Sequence, residues 1–389
     1  MTSPDGPAAL LPPLASSGAG EWTARRDADI RAVLADPRFT VPPPGPGGPP
    51  GTVSWLRASV SRFANGAEHR DRRALVEAEL GRLDPAALRA SARELALDQL
   101  AQRRRSGDRV DVMSLLARRV PVAVLAARLG LADPLRAAAA VTAVAASYFP
   151  GSDARREQQA DAETAWLVTA LGPGRLDLTV ARIAIMVQAC DATAGLIGTA
   201  LHLLQDRPAG EDRPADPGCP AGGDRPAGRE RPAGTSRPAG REWSAGGNWP
   251  AGGNWPAGGG WSAGGDWPTD ALLAETLWRR PPASKIRRVA SASADVGGER
   301  IQAGEKVVCD IEAAGRDPEG GPRGAGQAAP AGLAFGAGLR PCPGPGQALA
   351  LAAGVIDAVR ERCALQPGTP VTYEAAPTRV PERLEVVLR

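Results

Sequence analysis

The sequence predicts a mainly α protein with a small β-sheet, folded as one domain around a low-complexity insertion. Three observations carry this. Long stretches place apolar residues at helical spacing. Only short runs, chiefly "KVVCDI" (306–311) and "LEVVLR" (384–389), read as strands. Between 206 and 268 both patterns give way to a hexapeptide repeat that cannot join a core.

Taken in order, residues 1–21 read as a poorly ordered N-terminal extension, and 22–205 with 269–389 as the two parts of the domain. "DADIRAVLADPRF" (27–39) opens on Asp and continues with helical periodicity. "DPAALRASARELALDQLAQRRR" (84–105) does the same, with Pro directly after its Asp. The stretch 175–204 is apolar on nearly every face, which predicts a helix buried all round as a central rod. From 207 to 267 every sixth residue is Arg, Cys or Trp, in units of roughly R/W-P/S-A-G-x-x. Single-base codon changes interconvert Arg, Trp and Cys, and also Pro and Ser, so the tract resembles an expanded DNA repeat. Its Pro and Gly content predicts a disordered surface loop over 206–268. A Trp-bearing binding arm is the functional alternative.

Composition excludes several classes of activity. The net charge is only +3, and nearly all positive charge is arginine, with lysine at 285 and 306 alone. The basic residues are scattered instead of clustered with aromatics, which disfavours nucleic-acid binding. The two histidines, His69 and His202, lack the spacing of a zinc helix, and no G-x-S-x-G elbow occurs. Five cysteines form no C-x-x-C pair; with no signal peptide evident, they suggest a reducing cytoplasm. The apolar stretches are alanine-rich and broken by charge, so no membrane span is expected.

One cysteine stands apart. "FGAGLRPCPG" (335–344) sets Cys342 in a Gly/Pro loop at the mouth of a helix. Unpaired N–H groups and the helix dipole there favour an anion, so the thiol pKa is expected to fall. A thiolate serves either as nucleophile or as metal ligand. The first needs a histidine base. The second needs backbone donors around the sulfur, which close approach at Gly336, Gly338 and Gly344 would allow.

Phe335-Gly336-x-Gly338-x-Arg340-x-Cys342-x-Gly344 resembles the haem-binding loop of the cytochromes P450. The resemblance implies that fold, a haem b whose axial thiolate is Cys342, Phe335 and Gly336 packed beside it, and Arg340 on a haem propionate. "FANGAEHRDRRALV" (63–76) is similar to a second family signature and implies His69 and Arg73 as propionate contacts. "RRVASASADVGGERIQAGEKVVCDIEAAGRDP" (287–318) resembles the family's sheet segment and adds Arg288. The tail resembles its closing hairpin. The implied activity is that of a soluble, cytoplasmic, bacterial-type monooxygenase. It would oxidise a small organic, secondary-metabolite-type substrate with O2 and electrons from a ferredoxin. The donor would dock on the cysteine side, near Arg279, Arg280, Lys285 and Arg287.

The chain departs from that pattern in three places. Where the long helix passes over haem in the family, it carries Asp191-Ala192-Thr193. The acid and the second threonine remain as catalytic candidates, while the first threonine is replaced by Ala192. A substrate hydroxyl or ordered water would then carry the proton, or the oxidation would be a coupling. In "AETLWRRPP" (274–282) Trp278 takes the arginine position of E-x-x-R, so Glu275 needs Arg279 or another arginine as partner. The family's first helix is absent by length, residues 140–175 look too few for a pair of lid helices, and 318–332 is a reduced loop. These departures support a rival reading: a catalytically degenerate haem-binding homologue acting as a binding partner. A haem-free thiol enzyme using Cys342 with His69 is the remaining alternative.

Overall fold

Side chains at the helix starts explain where the helices begin. Asp84 accepts from the amides of Ala86 and Ala87, Asp133 from Arg136, and Asp153 from Arg156, while Pro85 and Pro134 open their helices. The computed structural model describes residues 14–103, 107–206, 267–317, 332–374 and 378–389. The chain begins with β1 (Ala15–Ser16), β2 (Glu21–Ala24), α1 (Asp27–Ala35) and β3 (Phe39–Thr40). α2 (Val53–Ser59) runs through a 3-10 turn, Ser61–Phe63, into α3 (Gly66–Leu80) and then α4 (Pro85–Ala101). β4 (Arg109–Asp111) and a π-turn, Met113–Ala117, lead to α5 (Val120–Arg128), α6 (Pro134–Ala146), α7 (Ala154–Ala170) and α8 (Leu176–Gln205). After the insertion come α9 (Thr269–Arg279), β5 (Lys285–Ala290), β6 (Ala294–Val296), β7 (Glu299–Ile301) and β8 (Lys306–Asp310). α10 (Ile311–Ala314), α11 (Pro345–Arg362), β9 (Cys363–Leu365) and β10 (Glu385–Leu388) complete it.

The strands form a five-stranded sheet in the order β1-β2-β8-β5-β3, a three-stranded sheet β4-β10-β9, and the hairpin β6-β7. β2 and β8 are parallel, with Trp22 opposite Val307; the other pairs are antiparallel. A small apolar cluster lies under the five-stranded sheet, and the main core surrounds α8. The central-rod expectation holds. α8 is long and apolar enough to cross a membrane, and 72% of its most apolar window is buried inside this fold. Ile183, Met186, Ile197 and Leu201 are among the largest fully buried side chains.

Two boundaries differ from expectation. The N-terminal extension does not run loose to residue 21: Leu14 is buried and β1 pairs with β2, because a hydrophobic entry strand extends the sheet. Residues 1–13 lie outside the described residues. The lid region, though short, holds two helices, since α6 begins at Pro134, upstream of the segment expected to be too brief. Among the described residues α1 follows β2. The disordered insertion expected at 206–268 lies outside the described residues over 207–266, as does 318–331 of the reduced loop.

The contact that places the cysteine loop is α11 against α4. A Cβ on Gly354 would lie 2.3 Å from the Arg89 carbonyl oxygen and 2.9 Å from the Arg93 amide, so the backbones meet without side chains between them. Arg89–Asp357, at 2.8 Å, and Arg93–Glu361 flank the seam. Gly354→Val therefore lowers unfolding stability by about 1–3 kcal/mol through overpacking. Urea denaturation checks this, and an unchanged midpoint contradicts the close contact.

Candidate functional site

The loop before α11 is held at both ends. Cys342 N–H donates to the Phe335 carbonyl at 2.7 Å and closes the loop on itself. Gly338 has φ +64°, and a Cβ there would sit 2.2 Å from the Leu34 carbonyl, so only glycine lets the loop lie on the end of α1. Leu339 N–H then donates to that same carbonyl at 3.1 Å. The Cys342 sulfur accepts a backbone hydrogen bond from Gly344 at the start of α11. The expected fall in thiol pKa is not found. Burial pushes it up, and the Gly344 N–H and the Arg73 charge offset this only in part. A metal ion would take the sulfur as thiolate regardless.

Four basic side chains gather at this loop from three parts of the chain, α3, β5 and the loop itself. Arg340 donates to the Ala64 carbonyl (2.5 Å) and to Asn65 Oδ1 (3.0 Å), just ahead of α3. Arg73, on α3, donates to the Pro341 carbonyl (2.6 Å) and to Glu77 (2.7 Å). Arg288 is buried on β5 and donates to the Arg287 carbonyl at 3.0 Å. His69 is pushed down to about 4, first by burial and then by the charges of Arg340, Arg73 and Arg288. Arg340 is pushed down to about 10 by burial and by Arg288 and Arg73. These effects place all four within electrostatic reach of one another.

Only one carboxylate among the described residues pairs with this cluster, Glu77 on Arg73. With His69 neutral and Arg73 so balanced, buried Arg288 and half-buried Arg340 leave two positive charges with no carboxylate partner among the described residues. Such a set suits a ligand carrying two carboxylates. Among the described residues no three His, Cys, Asp or Glu side chains form a metal nest. Cys342 would then be the one protein ligand to a metal whose other positions are filled by its own macrocycle. Both features match haem, with its two propionates.

On α8 the expected catalytic pair is less well placed. Ala192 is exposed and Gln188, Ala189 and Asp191 are half-buried, so these form an open stripe along the middle of α8. Thr193 is 1% exposed, and its hydroxyl has no partner among the described residues. Asp191 pairs with Arg118 at 3.3 Å, and Arg118 in turn pairs with Glu374. Burial pushes the Asp191 carboxyl up, against the pull of Arg118. No hydrogen bond or ion pair joins Asp191 or Thr193 to the cysteine loop among the described residues. Glu275 finds the partner that Trp278 denies it: Arg279, one turn along α9.

Two features escaped sequence reasoning. Asn65, before α3, carries both Arg340 and the Val41 backbone, and its place ahead of a helix was the only signal. Arg62, in the 3-10 turn, acts electrostatically on Arg288 and lies over the Phe149 ring at 5.0 Å; nothing in its sequence context marks it. A separate cavity of about 220 Å³ lies between α2, α3 and the start of α8, against Trp55, Leu75 and Val180. The arginine at its wall, Arg72, is already bonded to the Ala58 and Val60 carbonyls and to Glu68.

No protein-family model and no curated protein matches the sequence. Solved structures do match. The chain is similar to CalO2 at 18% identity and TM-score 0.67, covering 97% of this chain and 93% of that one. It is similar to P450BioI, solved with an acyl carrier protein bearing hexadec-9Z-enoic acid, at 17% identity and TM-score 0.66, covering 95% and 92%. The open form of cytochrome P450 EryK from S. erythraea gives 19% identity and TM-score 0.64, covering 97% and 92%. The chain has the cytochrome P450 fold.

With only two histidines, an NMR titration of the haem-free protein resolves each imidazole. The signal removed by His69→Gln is expected to titrate near 4, because the folded environment favours the neutral ring. The unfolded chain takes up that proton at its ordinary value of 6.5, so stability falls as pH drops from 6.5 towards 4 and levels off below. His202, also lowered by burial, adds a slope of the same sign. A His69 signal titrating at or above 6.5 contradicts the cation cluster.

Proposed function

We propose that the chain holds haem b through Cys342 and carries out a monooxygenase-type oxidation of a small organic, secondary-metabolite-type substrate with O2 and ferredoxin electrons. The observation that carries this reading is the two unpaired, desolvated arginine charges beside a lone cysteine, in a chain of P450 fold. Haem bound there would supply the activation of O2 needed to insert oxygen into, or remove hydrogen from, an unreactive carbon centre.

The residues then divide the work. Cys342 Sγ would hold the iron, with the Gly344 N–H moderating the sulfur's charge. Arg288 and Arg340 would balance the propionates, with His69 and Arg73 as further donors to them. Phe335 and Gly336 shape the loop around the sulfur. The stripe Gln188, Ala189 and Ala192 walls the space above. Asp191 holds a proton at higher pH than an ordinary carboxylate and can exchange it. Ala192 places no hydroxyl beside it, so water or a substrate hydroxyl completes the relay. Thr193, with its hydroxyl buried, is assigned no proton role. Lys285 and Arg287 alternate with buried Arg288 and are exposed, which supports docking of an acidic electron donor on this side.

Ala192 and Trp278 favour a second reading, a haem-binding homologue without turnover. Assay with a surrogate ferredoxin, its reductase and a panel of small molecules separates the two. The first reading expects product from at least one substrate, lost in Cys342→Ser. It also expects Ala192→Thr to shift reducing equivalents from peroxide towards product, by roughly twofold or more, if the missing hydroxyl limits proton delivery. Haem-loaded protein that oxidises nothing, with Ala192→Thr equally inert, supports the second.

A further inference from the structure

We propose that the cavity between α2, α3 and the start of α8 binds a small neutral molecule, an apolar ring bearing one hydroxyl, with Ser61 as its anchor and Gln188 closing its inner end. The binding is argued from the cavity itself. What lies beyond Gln188, the space above the cysteine loop, rests on the function proposed above.

The cavity measures about 220 Å³. Pockets for drug-sized ligands run to roughly 300–1,000 Å³, so the occupant here is no larger than one or two fused rings. Trp55, Val60, Leu75, Val76, Val180 and Ala184 give it an apolar wall. Leu176, 49% exposed, carries that wall out to the surface. Two charged side chains reach the cavity, and both are answered by the protein. Arg72 donates to the Ala58 and Val60 carbonyls (2.8 and 3.2 Å) and to Glu68 (2.5 Å). Asp177 pairs with Arg175 and accepts from the Leu178 amide at 2.9 Å. A charged ligand would therefore lose hydration without gaining a counter-charge.

Ser61 differs from both. It is 8% exposed and lines the cavity, and its hydroxyl has no hydrogen-bond partner among the described residues. Unlike the Tyr148 hydroxyl it is not wholly shielded, and the surface it keeps opens into the cavity. A serine hydroxyl both donates and accepts, so the hydroxyl of a ligand satisfies it in either sense.

The wall contributed by α8 ends at Ala184; Gln188 follows one turn later on the same face, and Ala192 a turn beyond that. Gln188 turns back towards the cavity. Its Nε2 donates to the Ala184 carbonyl at 3.2 Å, its one hydrogen bond among the described residues. That carbonyl already serves the helix ladder, so the side-chain bond adds little and breaks easily. The longest side chain of the open stripe thus stands between the cavity and Ala192.

Calorimetry on the purified protein with 2-indanol, indane and indane-2-carboxylate tests the site. The alcohol is expected to bind about fivefold more tightly than indane, as one neutral hydrogen bond provides. It should bind at least about tenfold more tightly than the carboxylate, which finds no counter-charge. Ser61→Ala should bring 2-indanol to the affinity of indane and leave indane unchanged. Ala184→Leu, which fills the cavity, should weaken both by about tenfold or more. The longer 4-phenylcyclohexanol should bind the wild type much more weakly than 2-indanol, and Gln188→Ala should remove that difference. A wild type without the alcohol preference, a preference that survives Ser61→Ala, or affinities unmoved by Ala184→Leu overturn the site. A longer alcohol still excluded by Gln188→Ala overturns the partition. If 2-indanol binds as stated to protein showing no thiolate-haem band, the oxidation reading fails and the site stands.

Discussion

The structure depends on a group of basic side chains brought together at the cysteine loop, Arg288 buried and the others half-buried. Arg340, Arg288, His69 and Arg73 come from the loop before α11, from β5 and from α3, and Glu77 answers only one of them. In isolation this arrangement opposes folding, since like charges repel and each loses hydration. The depressed values of His69 and Arg340 record that strain. A dianionic ligand reverses its sign. Binding to the folded state alone then contributes stability by mass action, so ligand and scaffold are thermodynamically linked.

Keeping the cations in place requires backbone contacts that admit no side chain. Gly338 lets the cysteine loop lie on the end of α1, and Gly354 lets α11 lie on α4. The ion pair that an arginine at 278 would provide is replaced by a neighbour on the same helix, Arg279. A further tie runs from Glu312 to Arg379, at 2.5 Å, whose amide donates to the Pro282 carbonyl. The Arg379 carbonyl also fills the space that a Cβ on Gly195 of α8 would need. The C-terminal segment thus ties α8 to α10 and to the turn after α9.

Much of this was legible in the sequence. The Asp starts at 27 and 84 marked α1 and α4, and a helix apolar on nearly every face marked the buried rod α8, whereas the caps of α6 and α7, Asp133 and Asp153, went unread. The spacing of Cys342, Arg340 and the two glycines named the loop, and the His69–Arg73 spacing placed both on one face of α3. What was not legible depends on three-dimensional burial. The helix-end argument for a low Cys342 pKa could not weigh the desolvation that outweighs it. The facing of Thr193 turns on a rotation of one residue along α8. β1 is two residues long and gains its register only from β2. Arg62 and Phe149 are 87 positions apart and stack only through the fold.

The central claim is that Cys342 binds haem iron as thiolate within this cation cluster. The most direct measurement is the absorbance spectrum of the purified protein, reduced and exposed to carbon monoxide. The account predicts the red-shifted band of a thiolate-ligated haem, absent in Cys342→Ser. A band typical of a neutral or histidine ligand, or a protein that retains no haem, would contradict it.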